Sequence, residues 1–319
     1  DGGIVWEERI GGKLAIPTTA RDATGLRIDG LSGELTRVLE GLAVAGGTAS
    51  SEALAYGVES DEIRLQPLLD ELAALRLVES SDGGEGEVWR FKLALTQDML
   101  LERIRPLRKA LFSRRLADVS LNNAPGPEKI HLLVNAGRMD AAIADAVQWA
   151  EPHLDWSRAE EVRPVLENVA ELAHGAREID RATLCRLFML LGRARLAVRA
   201  GNREAEAALQ RAHALAPDPI LKAEVELFRA RGLLSRGRIA ESRTLLERAS
   251  ERLAGETPKL SSRISMELGV LYWYLGDFLE SVSRYEAALE AARRGGWSRL
   301  VARALAGRGV LRLCRGKLE

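Results

Sequence analysis

Apolar residues recur every three or four positions along most of this chain, which is the spacing of amphipathic α-helices. Within residues 31–121 the pattern predicts three helices, two strands joined by the Gly-rich loop Ser81–Glu87, and two further helices. Ser60 is placed to cap the third helix. The apolar stripe of that helix is Leu65, Leu68, Leu69, Leu72 and Leu75. The pattern therefore predicts a small helical domain that carries one β-hairpin.

Residues 1–30 lack a helical period. Apolar segments on either side of Gly11-Gly12 predict a short hairpin closed by a glycine turn, whereas Pro17, Gly25 and Gly30 argue against a long helix. We interpret this segment as an N-terminal extension that ends an upstream domain. Because the chain begins without Met and stops shortly after a turn glycine, we expect it to be a piece of a larger protein.

Residues 122–127, Asn-Asn-Ala-Pro-Gly-Pro, have the composition of a linker, and the chain beyond them is helical almost throughout. That region also repeats. Glycines that follow long apolar helices stand at Gly137, Gly201, Gly237, Gly276 and Gly316, and the last four are 36, 39 and 40 residues apart. This period predicts an α-solenoid of stacked antiparallel helix pairs at residues 128–319, cut inside a repeat at its C-terminal end.

Small residues recur in each repeat where two helices must approach closely. Gly269 and Gly309 each stand seven residues before a turn glycine, and Ala194 and Ala230 hold the equivalent place in earlier repeats. The segment Leu268-Gly-x-x-Tyr272, Leu275-Gly-Asp277, Ser281, Tyr285 and Ala288 resembles the tetratricopeptide repeat. The resemblance is closest at residues 257–295. It implies a concave surface that binds extended peptides or partner helices.

The first third carries a second resemblance. Three helices followed by a hairpin make a winged-helix unit, and several segments are similar to the winged-helix region of bacterial STAND-type signalling ATPases. They are Leu31-Ser32, Leu39, Ala43–Gly46, Leu68–Leu75, Val88–Phe91 and Ile104–Leu111. In that family the region joins a nucleotide-binding module to tetratricopeptide repeats, often with a kinase or DNA-binding domain attached. Leu93 stands where the family usually has a His. If that His senses nucleotide, this chain has lost the role.

Charge and motifs restrict the chemistry. The chain has 46 basic and 46 acidic residues, so its net charge gives no overall attraction to nucleic acid or to an anionic membrane. Gly11-Gly-Lys13 is followed by Leu14 and is not a phosphate-binding loop. The four histidines are scattered and no Cys-x-x-Cys is present, so we expect no metal site, cofactor or catalytic residue. Cys185 and Cys314 lie in apolar stretches, which favours a reducing, cytoplasmic location.

The tetratricopeptide resemblance implies that the first helix of each pair lines the concave surface. Counting from the small residue of each repeat gives the candidate partner-binding residues Arg195, Arg231, Arg263, Met266, Trp273 and Arg303. Arginines interleaved with apolar groups suit an acidic or carboxylate-bearing peptide with hydrophobic anchors. The alternative is that these arginines are ordinary solvated helix residues.

Three hypotheses of function remain open. The first is a non-catalytic regulatory segment of a STAND-like bacterial signalling protein, with a protein or peptide as partner and an upstream nucleotide-binding domain as a second contact. The second is a stand-alone tetratricopeptide adaptor. The third is a DNA-binding regulator, which the acidic helix Ser60–Arg76 disfavours and for which Arg103–Arg115 is the better basic candidate.

Overall fold

The computed structural model describes residues 19–82, 87–120, 124–155, 158–173, 178–198, 202–253 and 257–314. The chain forms two compact units. The first comprises residues 1–123 with 135–137, and the second comprises residues 124–134 with 138–319. The hairpin predicted around Gly11-Gly12 lies outside the described residues.

The first unit contains six helices and three strands within its described part. Their bounds are α1 Ala20–Asp29, α2 Gly33–Val44, β1 Thr48–Ser50, α3 Ser51–Val58, α4 Glu62–Ala74, β2 Val78–Asp82, β3 Glu87–Phe91, α5 Ala94–Arg103 and α6 Pro106–Val119. The strands form an antiparallel sheet in the order β1-β3-β2. The predicted three helices and hairpin are present. Strand β1 was not predicted, because three residues are too few to show a period.

Helices α2, α3 and α4 bury their apolar stripes in one core. Leu39, Leu54, Leu65 and Leu69 are completely buried in it, as the helical spacing predicts. Leu75, predicted as the last member of the α4 stripe, is instead 41% exposed, because the helix ends one residue before it.

The capping residue predicted for α4 is wrong. Asp61 rather than Ser60 caps this helix, because its carboxylate accepts a hydrogen bond of 2.7 Å from the backbone N–H of the third helical residue.

Gly25, which the sequence analysis counts against a long helix in this segment, lies inside a helix. Thr19 and Asp22 form a capping box that starts α1, and Gly25 lies in the middle of this ten-residue helix. A Cβ at Gly25 would lie 3.0 Å from the guanidinium of Arg103 and 3.4 Å from the methyl group of Met99. The glycine therefore marks a close approach of α5 to α1 and not a turn.

The second unit is a series of helices. Their bounds are α7 Pro127–Asn135, α8 Met139–Asp155, α9 Ala159–Leu172, α10 Arg181–Ala197, α11 Asn202–Leu215, α12 Pro219–Leu234, α13 Ile239–Leu253, α14 Pro258–Tyr274, α15 Phe278–Arg294 and α16 Ser298–Cys314. Each helix from α8 to α15 packs against the helix that follows it. Helix α8 also packs against α10, and the first helices of the later pairs, which are α10, α12, α14 and α16, pack against one another in order. The predicted α-solenoid of tetratricopeptide-type pairs is confirmed.

Close helix approach inside each pair depends on small residues. A Cβ at Gly269 would lie 2.9 Å from the Tyr285 ring. The hydroxyl of Ser281 donates to the carbonyl of Gly269 at 2.7 Å, and the hydroxyl of Ser242 donates to the carbonyl of Ala230 at 2.9 Å.

Turn glycines Gly137, Gly237 and Gly276 have φ angles of 74°, 75° and 78°. The predicted turn glycines 201 and 316 lie outside the described residues.

Two glycines of α16 give a matched stability test. A Cβ at Gly307 would lie 2.3 Å from the ring of Tyr285, whereas a Cβ at Gly309 would meet no described atom within 4 Å. We expect Gly307→Ala to lower the free energy of unfolding by about 1–3 kcal/mol through overpacking. Gly309→Ala should raise it by up to about 1 kcal/mol, since alanine favours the helix. Urea unfolding of both variants measures this, and equal effects would contradict the packing.

Candidate partner-binding groove

One face of the second unit forms an open groove of about 560 Å³. The groove lies across α8, α10, α12, α14 and α16, which places it mainly on the first helices of the pairs. Six basic residues line it, namely Arg193, Arg231, Lys259, Arg263, Arg299 and Arg303. Glu151 and Glu224 are the acidic residues that line it. The groove is therefore basic although the whole chain has no net charge.

Helical geometry explains why these basic residues share a face. Lys259 and Arg263 lie one turn apart on α14, and Arg299 and Arg303 lie one turn apart on α16. Each residue of the first pair stands forty residues before its counterpart in the second. The repeat therefore places two basic residues at the same positions of consecutive first helices.

Of the six predicted residues, Arg231, Arg263 and Arg303 line the groove. Arg195 does not line it. Its Nε lies 3.1 Å from the Glu167 carboxylate, and its guanidinium also donates to a backbone carbonyl at 3.2 Å. Arg195 therefore serves packing between neighbouring helices.

The prediction of Met266 as a surface residue is wrong. Met266 is only 1% exposed and belongs to a core cluster with Tyr285 and Leu289. It stands three residues before Gly269, so it lies on the same helix face, which is directed toward α15. Trp273 is half-buried against the same cluster, and its ring lies 4.9 Å from that of Tyr274. Neither side chain lines the groove.

The groove is also lined by Arg193, Lys259, Trp297 and Arg299, which were not predicted from the sequence. Lys259 and Arg299 stand one helical turn before the predicted residues Arg263 and Arg303, so the same repeat pattern could have identified them. Trp297 follows Gly296, whose φ of 67° turns the chain into α16. No repeat position marks Trp297 because it lies outside the helices.

A buried carboxylate fixes two of the groove arginines. Glu267 is 4% exposed, and its Oε1 accepts hydrogen bonds from both Arg231 of α12 and Arg303 of α16. Burial alone would raise the pKa of Glu267, but the charges and hydrogen bonds of the two arginines outweigh burial and hold this pKa below its usual value. One carboxylate thus links three consecutive first helices.

A second ion pair holds Arg263, and one aromatic ring contacts Arg193, Arg231 and Arg263. Nη1 of Arg263 lies 2.8 Å from Oε1 of Glu224. The guanidinium carbons of Arg193, Arg231 and Arg263 lie 4.7, 5.4 and 5.2 Å from the ring centroid of Phe228, which is 2% exposed. Cation–π contact with one buried ring brings three guanidinium groups to the floor of the groove.

An apolar recess of about 350 Å³ adjoins the basic groove. Its apolar lining comes from Leu154, Leu196, Ala197 and Phe228. Arg193 and Arg231 line both the recess and the groove, so the two are continuous. Within the described residues, the buried Nε of Arg231 makes no hydrogen bond.

Three arginines of the basic run Arg103–Arg115 pair with carboxylates of the first unit. Arg103 lies 2.8 Å from the Asp29 carboxylate, Arg108 lies 2.8 Å from Glu40, and Arg115 lies 2.8 Å from Glu59. These distances join guanidinium nitrogens to carboxylate oxygens. A DNA phosphate would have to compete with each of these carboxylates.

Cys185 is buried, and burial raises the pKa of its thiol to about 12. The thiol is therefore protonated at neutral pH and is a poor nucleophile.

Across the described residues, no three His, Cys, Asp or Glu side chains cluster as a metal site would require. Nor does any helix in the described part of the chain combine the length and apolar character needed to cross a membrane.

The sequence matches no protein-family profile and no curated protein. Among solved structures, a STAND protein with a tetratricopeptide repeat sensor from Pyrococcus horikoshii aligns over 93% of this chain and 50% of its own, at 12% identity and a TM-score of 0.43. The chain thus spans half the length of that protein. The similarity is too low to indicate a shared function.

Two further solved structures show a comparable similarity. The kinesin light chain tetratricopeptide-like repeats of Podospora anserina align over 55% of this chain and 87% of their own, at 16% identity and a TM-score of 0.42. Aspartyl phosphate phosphatase F of Bacillus subtilis aligns over 94% of this chain and 82% of its own, at 13% identity and a TM-score of 0.47. These values also carry no functional inference.

Replacing Glu267 by Gln tests the ionic bridge. The variant takes the ionised carboxylate away from two partly exposed guanidinium groups, so we expect a loss of about 1–3 kcal/mol in the free energy of unfolding at neutral pH. The pKa of Glu267 is lower in the folded chain than in the unfolded chain. The ionised carboxylate of Glu267 therefore contributes its full stabilisation at pH values above the pKa that it has in the unfolded chain. This stabilisation is lost as the pH falls through the lower pKa of the folded chain.

The difference in the free energy of unfolding between wild type and Glu267→Gln should consequently become smaller at acidic pH. Denaturant unfolding across acidic and neutral pH measures it. Glu247→Gln is the control, because Glu247 forms an exposed pair with Arg243 on α13 and should change stability by less than about 0.5 kcal/mol. A difference for Glu267→Gln that is small, or constant with pH, would show that the bridge does not form.

Proposed function

We propose that the helical array is a non-catalytic protein-interaction domain whose basic groove binds an acidic segment of a partner protein. The main support is that six basic and two acidic residues line this groove, although the whole chain has zero net charge. Arginine forms bidentate hydrogen bonds with carboxylates, which gives such a groove both affinity and directional preference.

The internal ion pairs support a carboxylate ligand. Arg231 and Arg303 already bind the carboxylate of Glu267, and Arg263 already binds Glu224. The guanidinium groups are therefore held in orientations that suit carboxylates. Arg303 keeps 47% of its side chain exposed while bound to Glu267, so part of its donor set faces solvent. An incoming carboxylate can use those donors without breaking the bridge.

The groove is open and extends across five helices, which favours an extended or helical protein segment over a small molecule. Trp297 is half-buried at the start of α16 and gives the groove an aromatic side chain that an apolar partner residue can contact. Tetratricopeptide-type surfaces of this kind gain affinity from several such contacts distributed over consecutive repeats.

We further propose that the chain is a regulatory segment of a STAND-like signalling protein, with a winged-helix-like domain at residues 31–121. The order of helices and strands in the first unit and the sequence resemblance support this proposal. Leu93, in place of the usual His, predicts that nucleotide state is not sensed at that position. The gene sequence upstream of Asp1 is the test, because a phosphate-binding loop there would support the proposal and its absence would refute it.

Charge reversal in the groove tests the binding proposal. Lys259→Glu/Arg299→Glu replaces two exposed basic residues and leaves the Glu267 bridge intact. We expect the variant to bind a labelled glutamate-rich peptide at least about tenfold more weakly, a loss of about 1.4 kcal/mol. High salt should reduce the difference, since it screens exposed charges. Fluorescence anisotropy at two salt concentrations measures both effects.

Arg248→Glu/Arg293→Glu is the matched control. It makes the same change in net charge at exposed positions on the second helices α13 and α15, away from the groove. The control should retain nearly all of the wild-type affinity. Equal losses in both double variants would show that the peptide responds to overall charge and would refute a specific groove.

A further inference from the structure

The apolar recess beside the groove has no role in the proposal above, yet it is built into the same site. Leu154 comes from α8, Leu196 and Ala197 from α10, and Phe228 from α12, so three consecutive layers of the array form it. Leu154 and Leu196 are only half-buried, and Ala197 is exposed. The recess therefore offers apolar surface to solvent directly beside cationic groups.

Two arginines connect the recess with the groove. Arg193 and Arg231 line both, and each guanidinium lies against the Phe228 ring that belongs to the recess wall. A ligand whose apolar side chain enters the recess consequently brings its neighbouring residues within reach of these guanidinium groups. Buried apolar anchors supply most of the affinity in protein interfaces, and adjacent charges supply orientation.

We propose that the recess is the anchor subsite of this domain, and that its ligand is a protein segment with one bulky apolar side chain followed or preceded by acidic residues. The inference rests on the proposed binding function and specifies its partner. The apolar side chain, aliphatic or aromatic, fills the recess, and the acidic residues extend along the groove toward Lys259, Arg263 and Arg299. Glutamate or aspartate alone would leave the recess empty.

A protein segment fits this arrangement better than a nucleic acid. Glu151 and Glu224 line the groove among the basic residues, and buried Glu267 lies behind two of them. A strand with a phosphate at every nucleotide would meet these carboxylates, whereas a peptide can place neutral residues opposite them.

Selection from a random peptide display library tests the inference, because it samples apolar and acidic side chains at every position of the ligand. Peptides selected on the wild-type chain should be enriched in Asp and Glu and should share one position occupied by Leu, Ile, Met, Phe or Trp. Replacing that position by Ala in a selected synthetic peptide should weaken binding by at least about tenfold. A single-stranded oligonucleotide of equal charge should bind more weakly than the peptide.

Ala197→Trp is the informative variant, because Ala197 is exposed at the end of α10 and an indole there would occupy the recess. The affinity of this variant for the selected peptide should fall to the affinity of the wild-type chain for the Ala-substituted peptide. Peptides selected on the variant should still be rich in acidic residues but should no longer share an apolar position. Ala287→Trp, at an exposed position of α15 away from the recess, is the control and should bind like wild type.

The outcomes separate the two proposals. Acidic enrichment without an apolar position, or unchanged binding by Ala197→Trp, would overturn the anchor subsite and leave the groove proposal standing. Selected peptides without acidic enrichment would overturn the groove proposal itself. Tighter binding of the oligonucleotide than of any selected peptide would overturn both. Circular dichroism of each variant confirms that a loss of binding is not a loss of folding.

Discussion

The arrangement of the groove depends on one buried carboxylate. Glu267 of α14 binds Arg231 of α12 and Arg303 of α16 at the same time, so it joins three consecutive layers of the array and neutralises part of two charges. Without it, two partly exposed guanidinium groups would lose the carboxylate that pairs with both of them. Removing one partner of a partly buried ion pair costs more free energy than the intact pair contributes relative to apolar residues of similar volume. The bridge therefore constrains which substitutions this face tolerates.

Small residues set the second constraint, since they determine how closely the two helices of a pair approach. Gly269 contacts the ring of Tyr285, and Ser281 donates to the Gly269 carbonyl from the opposite helix. These contacts fix the rotation of α14 about its axis. With that rotation fixed, Met266 is directed into the core and Arg263 toward the groove. The electrostatic character of the groove thus follows from packing on the other side of the same helix.

The sequence predicted the helix pairs and their close approaches well, because both depend on periodic local signals. It predicted the site only in part. Arg263 and Arg303 follow the repeat and were found, but Trp297 lies in a turn and carries no periodic signal. The Glu267 bridge joins residues 36 positions apart on different helices, and such pairing is decided by tertiary packing. Strand β1 and helix α1 were missed because short elements depend on contacts that periodicity does not encode.

Photo-crosslinking can show whether an acidic protein segment occupies the groove formed by the first helices. A peptide selected by display and carrying a photoreactive group is irradiated with the protein, and mass spectrometry locates the adducts. We expect adducts on α12, α14 and the start of α16, among the residues that line the groove and its recess. Adducts confined to the exposed faces of α13 and α15, or to residues 19–120, would contradict it.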